Sequence, residues 1–134
     1  MTQTYRKPLP LVDEDSQEFW DAAKKHKLLI QRCPKCNTRY HNGFVCHLCG
    51  AKTEYVEASG KGRVYTWVIF HQKYHASFEA DLPYNVAIVE LEEGPLYMTN
   101  LVGVKNEEIR LNMPVQVVFD DVTEEISLPK FRPA

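Results

Sequence analysis

With 134 residues, 44 % of them hydrophobic and 25 % charged, the chain has the balance of an ordinary globular protein and room for one domain or two very small ones. Its 16 basic and 18 acidic side chains give a formal net charge of −2, which argues against a nucleic-acid binder held mainly by phosphate contacts. No apolar run approaches the roughly 20 residues of a membrane span and Met1–Lys7 has no signal-peptide core, so a cytoplasmic protein is expected.

Residues 1–12, with Pro8 and Pro10, read as extended chain. A helix follows, with Asp15 as N-cap and Glu18 as its capping-box partner. Its acidic start (Asp13, Glu14) and basic end (Lys24, Lys25, Lys27) suit the helix dipole. Phe19, Trp20 and Ala23 fall on one apolar face. That face either packs on the chain's own metal module or docks on a partner, and the sequence leaves both open.

Leu28–Arg32 reads as a strand, Thr38–His41 as its return and Thr53–Ala58 as a closing strand. Ser59-Gly60-Lys61-Gly62 reads as an interdomain hinge. A phosphate-binding loop would need GxxxxGK[ST] spacing and a helix after it, and a strand follows instead. The expected division is an extended segment and helix over 1–27, a ribbon over 28–59 and a β domain over 60–134. In the last of these, Gly62–His71 is apolar on both faces, as in a strand covered on both sides or curled into a barrel. Tyr84–Leu91 and Leu96–Leu101 form the next two strands, split by the turn Glu92-Glu93-Gly94-Pro95. A brief helix over Lys105–Arg110 precedes strands at Val115–Phe119 and Glu125–Leu128. Three strands, a short helix and two strands is the element order of an OB-fold barrel, so the fold class is mainly β.

Cys33-Pro34-Lys35-Cys36-Asn37 and Cys46-His47-Leu48-Cys49-Gly50 carry the chemistry. Two residues between cysteines let each pair close a tight knuckle on one ion, and Asn37 and Gly50 are types that tolerate the left-handed turn after it. Four thiolates predict a closed tetrahedral site for structural Zn²⁺, with Zn–S of ~2.3 Å and no open position for catalysis. Iron in a rubredoxin-like site and a redox dithiol are the rivals. His41 and His47 are expected to be bystanders. A ribbon of about 30 residues buries too little apolar surface to fold alone, and metal binding supplies about 10 kcal/mol or more.

His71, Lys73, Tyr74, His75 and Phe78 gather on one loop of the predicted barrel, where binding residues concentrate. Single-stranded nucleic acid, a nucleotide-bearing cofactor such as coenzyme A, or a partner surface would use such aromatics and cations. Asp120-Asp121 and Glu124-Glu125 read as solvated turn residues. No nucleophile with a paired base stands out.

The chain resembles the DUF35 family, which joins a rubredoxin-like zinc ribbon to an OB-fold. The resemblance rests on Asp15-Ser16 and Phe19-Trp20, Leu28–Cys36, Cys46–Gly50, Ser59–Thr66, Pro83–Leu91, Met113-Pro114-Val115 and Leu128–Pro133. Where many members have a proline after the third cysteine, this chain has His47. The resemblance implies a non-catalytic scaffold subunit of a thiolase-like acyl-CoA enzyme complex, with the catalytic residues on the partner and CoA or acyl-CoA shared with it. Partnership with a MaoC-like hydratase or an aldolase is the alternative within the family. On that reading the loop His71–Phe78 and the tail Lys130, Phe131 and Arg132 meet CoA, cations on phosphates and rings on adenine. A single-stranded nucleic-acid-binding ribbon–OB protein and an electron carrier are the readings from other classes.

Overall fold

The computed structural model describes residues 5–134. The first four residues of the extended segment lie outside the described residues. The order is helix α1 (Gln17–Lys24), strands β1 (Leu29–Arg32), β2 (Arg39–Tyr40), β3 (Glu54–Glu57) and β4 (Lys61–Phe70), a 3-10 turn Ala76–Asp81, β5 (Tyr84–Leu91), β6 (Leu96–Thr99), a 3-10 turn Asn106–Glu108, β7 (Pro114–Asp121) and β8 (Ser127–Pro133). β2-β1-β3 make a three-stranded sheet and β6-β5-β4-β7-β8 a five-stranded one.

The expected Asp15–Glu18 capping box does not form: the N-cap of α1 is Ser16, without a side-chain cap bond, and a reciprocal Asp13–Ser16 pair closes the turn that leads into the helix. The Ser16 N–H donates to Asp13 Oδ1 at 2.9 Å, and the Asp13 N–H donates to Ser16 Oγ at 3.1 Å. Both residue types accept N–H bonds at helix starts. These bonds hold the Asp13 carboxyl below its usual range, Ser16 being the main cause.

β5 alternates strictly, with Asn85, Ala87, Val89 and Leu91 buried and the residues between them half-buried. β4 curls instead of being covered on both sides. A bulge between Val64 and Thr66 inserts Tyr65 as the extra residue and bends the strand, leaving Tyr65 and Val68 exposed. β8 runs on to Pro133, five residues past the expected Leu128, and pairs along all of β7 from Val115 to Asp121. A parallel bridge between Leu101 and Phe131 then closes the sheet, with Val102 N–H to Phe131 O at 2.8 Å and Phe131 N–H to Asn100 O at 3.2 Å. The result is the OB-fold barrel.

One core runs through both sheets, from Phe19, Leu28 and Ile30 through Ala58 to Val64, Val89 and Phe131. Aromatic rings cross the junction in series. Phe19 lies 6.3 Å from His41, His41 lies 4.3 Å from Tyr97, and Tyr97 lies 6.0 Å from Phe131. Burial lowers the His41 pKa, so the ring serves as a neutral packing element. The segment 59–62 is therefore not a free hinge. Ser59 N–H is held by Glu93 Oε2 at 2.6 Å and Val117 N–H by Gly60 O at 2.7 Å. Gly62 lies inside β4, where a Cβ would sit 2.6 Å from the Glu90 carbonyl oxygen.

Asp120 and Asp121 are exposed, as expected, but lie in a strand and not in a turn. They end β7, with Lys130 Nζ on Asp120 Oδ2 at 2.6 Å and His26 Nε2 beside Asp121 Oδ1 at 2.9 Å. The His26 ring stacks on Phe119 at 5.1 Å, and the buried Ser127 hydroxyl also donates to Asp121. This group pins the chain just past α1 to the barrel. Ser127 and then His26 hold the Asp121 carboxyl below its usual range. Because the folded pKa is depressed, the staple's contribution is fully present above the unfolded value of 3.8 and is lost as pH falls through the folded value.

Two outcomes follow from this packing. Gly62→Ala lowers stability by about 1–3 kcal/mol in urea unfolding, since the clash is with backbone. The stability gap between the native chain and Asp121→Asn is present above the usual Asp value of 3.8 and shrinks as pH falls below it, as read by unfolding midpoints across an acid pH series.

Candidate metal centre and ligand cleft

The strand β1 delivers Cys33 and the turn before β3 delivers Cys46 and Cys49, so two knuckles face each other. Each knuckle is closed by the same pair of bonds. Cys33 N–H reaches Thr38 O at 2.8 Å and Asn37 N–H reaches Cys33 O at 2.9 Å, while Cys46 N–H reaches Ala51 O at 2.8 Å and Gly50 N–H reaches Cys46 O at 2.8 Å. Asn37 (φ 64°) and Gly50 (φ 73°) take the left-handed conformation as expected.

All four sulfurs lie within 4.8 Å of one another. Cys33 and Cys49 are separated by 3.2 Å, Cys36 and Cys46 by 3.6 Å and Cys36 and Cys49 by 3.9 Å. A tetrahedron with Zn–S of ~2.3 Å has sulfur separations of about 3.8 Å, whereas a disulfide would need about 2.05 Å. The cysteines are free thiols. The donor set therefore fits a structural zinc ion, held by Cys33, Cys36, Cys46 and Cys49. Neither histidine joins it: half-buried His41 packs between Phe19 and Tyr97, and His47 Nδ1 lies 3.0 Å from the Tyr40 hydroxyl.

Protons compete with a metal unequally for these sulfurs. The Tyr40 hydroxyl is the main cause that pulls Cys46 down to about 6, and the same bond pushes Tyr40 up to about 12. At Cys49 the Ala51 N–H pulls down, but the neighbouring sulfurs, Cys33 foremost, and burial outweigh it and push the thiol up to about 12.

The other expected site residues divide. Phe78 and Lys130 come together in a cleft of about 480 Å³ between the loop before β5 and the start of β8. His71 lines an adjoining groove of about 260 Å³, which shares Pro83 and Asn106 with the cleft. Lys73 pairs with Glu79 at 3.7 Å, Tyr74 is exposed beside Phe70, and His75 caps the 3-10 turn by accepting the Ser77 N–H. Arg132 is exposed on β8. Phe131 is fully buried, so it is core and not a ligand platform; inward alternation along β8 puts it there. Phe19 and Ala23 are likewise buried, against β1 and β8, which spends most of the supposed docking face within the chain. Trp20 is half-buried and meets Phe19 edge to face at 4.9 Å.

The cleft also contains residues that sequence reasoning missed. Lys7 sits over the Phe78 ring at 5.4 Å and pairs with Asp81 at 2.6 Å. Asn85 is buried beneath it, donating to Leu101 O at 2.9 Å and accepting from Leu101 N–H at 2.6 Å. Asn106 donates to Pro83 O at 3.2 Å. Lys7 had no readable signal. Asn85 had one, a polar residue at an inward position of an alternating strand.

No oriented nucleophile–base–acid set is found among the described residues. His75 Nδ1 contacts Ser77 Oγ at 2.6 Å, but the same nitrogen caps the turn and no carboxylate orients the ring. Ser127, Asp121 and His26 include the residue types of a triad, yet the carboxylate sits in the middle and Ser127 is buried.

Two family profiles match the chain, "ChsH2, rubredoxin-like zinc ribbon domain" over residues 20–53 and "ChsH2, C-terminal OB-fold domain" over residues 55–120. A DUF35 domain-containing scaffold protein of Methanocaldococcus jannaschii is 37 % identical over 79 % of this chain and 77 % of its own length. This chain belongs to the DUF35 family. The DUF35 module here is also 42 % identical, over 96 % of its length, to a probable enoyl-CoA hydratase alpha subunit of Thermomonospora curvata, but spans only 40 % of that relative. Among solved structures it resembles an "Ltp2-ChsH2(DUF35) aldolase" chain with TM-score 0.83 and 41 % identity, covering 93 % of this chain and 98 % of that one. No helix among the described residues is long and apolar enough to cross a membrane.

Purified protein is expected to carry one zinc per chain and to be colourless. Cys33→Ser or exhaustive chelation removes the metal and unfolds the ribbon, because about 10 kcal/mol of folding free energy leaves with it. Metal analysis and circular dichroism check this.

Proposed function

We propose that this chain is a non-catalytic scaffold subunit of an acyl-CoA enzyme complex, with a thiolase-like enzyme as its partner, and that it helps form the CoA or acyl-CoA site. The observation that carries the scaffold role is the likeness, over 93 % of this chain, to the chain of the "Ltp2-ChsH2(DUF35) aldolase". The printed names of the relatives, a hydratase alpha subunit and an aldolase complex, favour one second reading, in which the partner is a hydratase or aldolase.

The labour divides along the chain in this proposal. The ribbon, 28–59, is the rigid platform set by the metal. The β domain, 60–134, carries the cleft. Lys130 and Lys7 flank it and suit a pyrophosphate, while Phe78 and Tyr84 offer ring faces to adenine. His71, in the adjoining groove, is placed to meet the chain beyond the nucleotide. Single-stranded nucleic acid suits this chain less well, because the net charge is −2 and such ligands favour a basic surface.

Affinity purification of the full chain from its native host, followed by mass spectrometry, is expected to recover a thiolase-like acyl-CoA enzyme in fixed stoichiometry. Recovery of a hydratase or aldolase instead supports the second reading, and recovery of the chain alone overturns both. In the reconstituted complex, Lys130→Ala raises the KM for acyl-CoA by about ten- to hundredfold with kcat unchanged, as expected for loss of one hydrogen bond to a charged group, about 1.5–3 kcal/mol.

A further inference from the structure

The second knuckle carries a side-chain arrangement that ligation alone does not use. Tyr40, on β2, lays its hydroxyl 3.2 Å from Cys46 Sγ and 3.0 Å from His47 Nδ1. The Tyr40 and His47 rings meet edge to face, at 78° with centroids 5.5 Å apart. The backbone is shaped for this placement. Asn42 turns left-handed (φ 63°), and its N–H is held at 2.8 Å by the buried side chain of Gln31. At Gly43 the chain then passes so close to Tyr40 that a Cβ would sit 2.6 Å from the ring's Cγ. A side chain at position 43 would displace the phenol from the sulfur.

A phenol has one proton to donate. A metal-bound Cys46 thiolate has none, so Tyr40 must be the donor in that bond. The Tyr40 oxygen is then left as an acceptor, and His47 Nδ1, at hydrogen-bond distance from it, must carry the hydrogen. We propose that Tyr40 and His47 form a two-step donor relay onto the Cys46 sulfur, which strengthens metal retention and fixes His47 as the Nδ1–H tautomer. The relay answers a local need. Four thiolates around one Zn²⁺ leave two net negative charges, and hydrogen bonds to sulfur offset them. Cys36 and Cys49 are exposed and can take such bonds from water. Cys33 and Cys46 are buried and cannot. Cys33 lies 3.5 Å from the Cys36 N–H, and Tyr40 is the hydroxyl donor that Cys46 receives. Tyr40 and His47 are positioning residues, acting on the metal through Cys46.

The test uses the full chain loaded with Zn²⁺ or Co²⁺. Tyr40→Phe keeps the ring but removes the donor. It is expected to lower zinc affinity about tenfold in competition with a chromophoric chelator, and to move the sulfur-to-cobalt charge-transfer band to lower energy, since a thiolate without its hydrogen bond is the better electron donor. His47→Ala has a smaller effect in the native background and none when Tyr40→Phe is already present. Nitrogen NMR of the native zinc form shows hydrogen on His47 Nδ1 when the imidazole is neutral, a reading that needs no variant to fold. Unchanged affinity and an unchanged cobalt band in Tyr40→Phe would overturn the relay. So would an equal cost of His47→Ala in both backgrounds, or a bare Nδ1 in the native protein.

Discussion

Four sulfurs drawn onto one ion are the constraint on which the ribbon depends. β2 contains two residues and β1 and β3 four each, too little sheet to stand alone in water. The knuckle bonds orient the sulfurs, and the metal converts that orientation into folding free energy. What the ribbon gains is a fixed inner surface. Ile30 and Cys33 are fully buried, and Leu28 and Ala23 nearly so, because the strand that carries Cys33 also carries the residues that meet α1.

That surface is not independent of the barrel. The series Phe19, His41, Tyr97 and Phe131 passes from helix to ribbon to β6 to β8. Each contact is worth about 0.5–1.5 kcal/mol beyond the area it buries, and together they tie the orientation of the ribbon to a ring at the centre of the barrel. The His26–Asp121 staple closes the same junction from the other end of α1. A chain whose connecting segment is held by Glu93 and Val117 at 2.6 and 2.7 Å behaves as one body. Such stiffness would suit the scaffold role proposed above.

Much of this was legible in the sequence, and the misses share a cause. The knuckles, the left-handed Asn37 and Gly50, the limits of β5 and the order of barrel elements all follow from local rules: spacing, conformational tolerance, alternation. The failures came where a residue's role is set by chain that is distant in sequence. Ser59–Gly62 has the composition of a hinge, and only the approach of Glu90 and Val117 shows that its glycines are there for packing. Phe131 follows a lysine and precedes an arginine, a context that reads as a basic aromatic tail, until Val117 opposite it turns the segment into a strand. The helix face of Phe19 and Ala23 left two fates open because its partner surface, β1 and β8, is assembled from both halves of the chain. Lys7 in the cleft was invisible for the same reason.

The charges in that cleft bear on how a site of this kind can be shared. Lys7 and Lys130 each sit 2.6 Å from a carboxylate, Asp81 and Asp120. An incoming phosphate would compete with those carboxylates for the same donors, and their charge would repel it, so neither lysine offers its full attraction to an anion approaching the free subunit. The balance changes if another surface supplies further donors and excludes water, because charge interactions strengthen as the local dielectric falls. The cleft is thus poorly arranged as a complete anion site and well arranged as part of one. An enzyme partner that brought the remaining donors would find the aromatic faces and amides already fixed by Asn85 and Asn106, so little further ordering would be needed to complete the pocket.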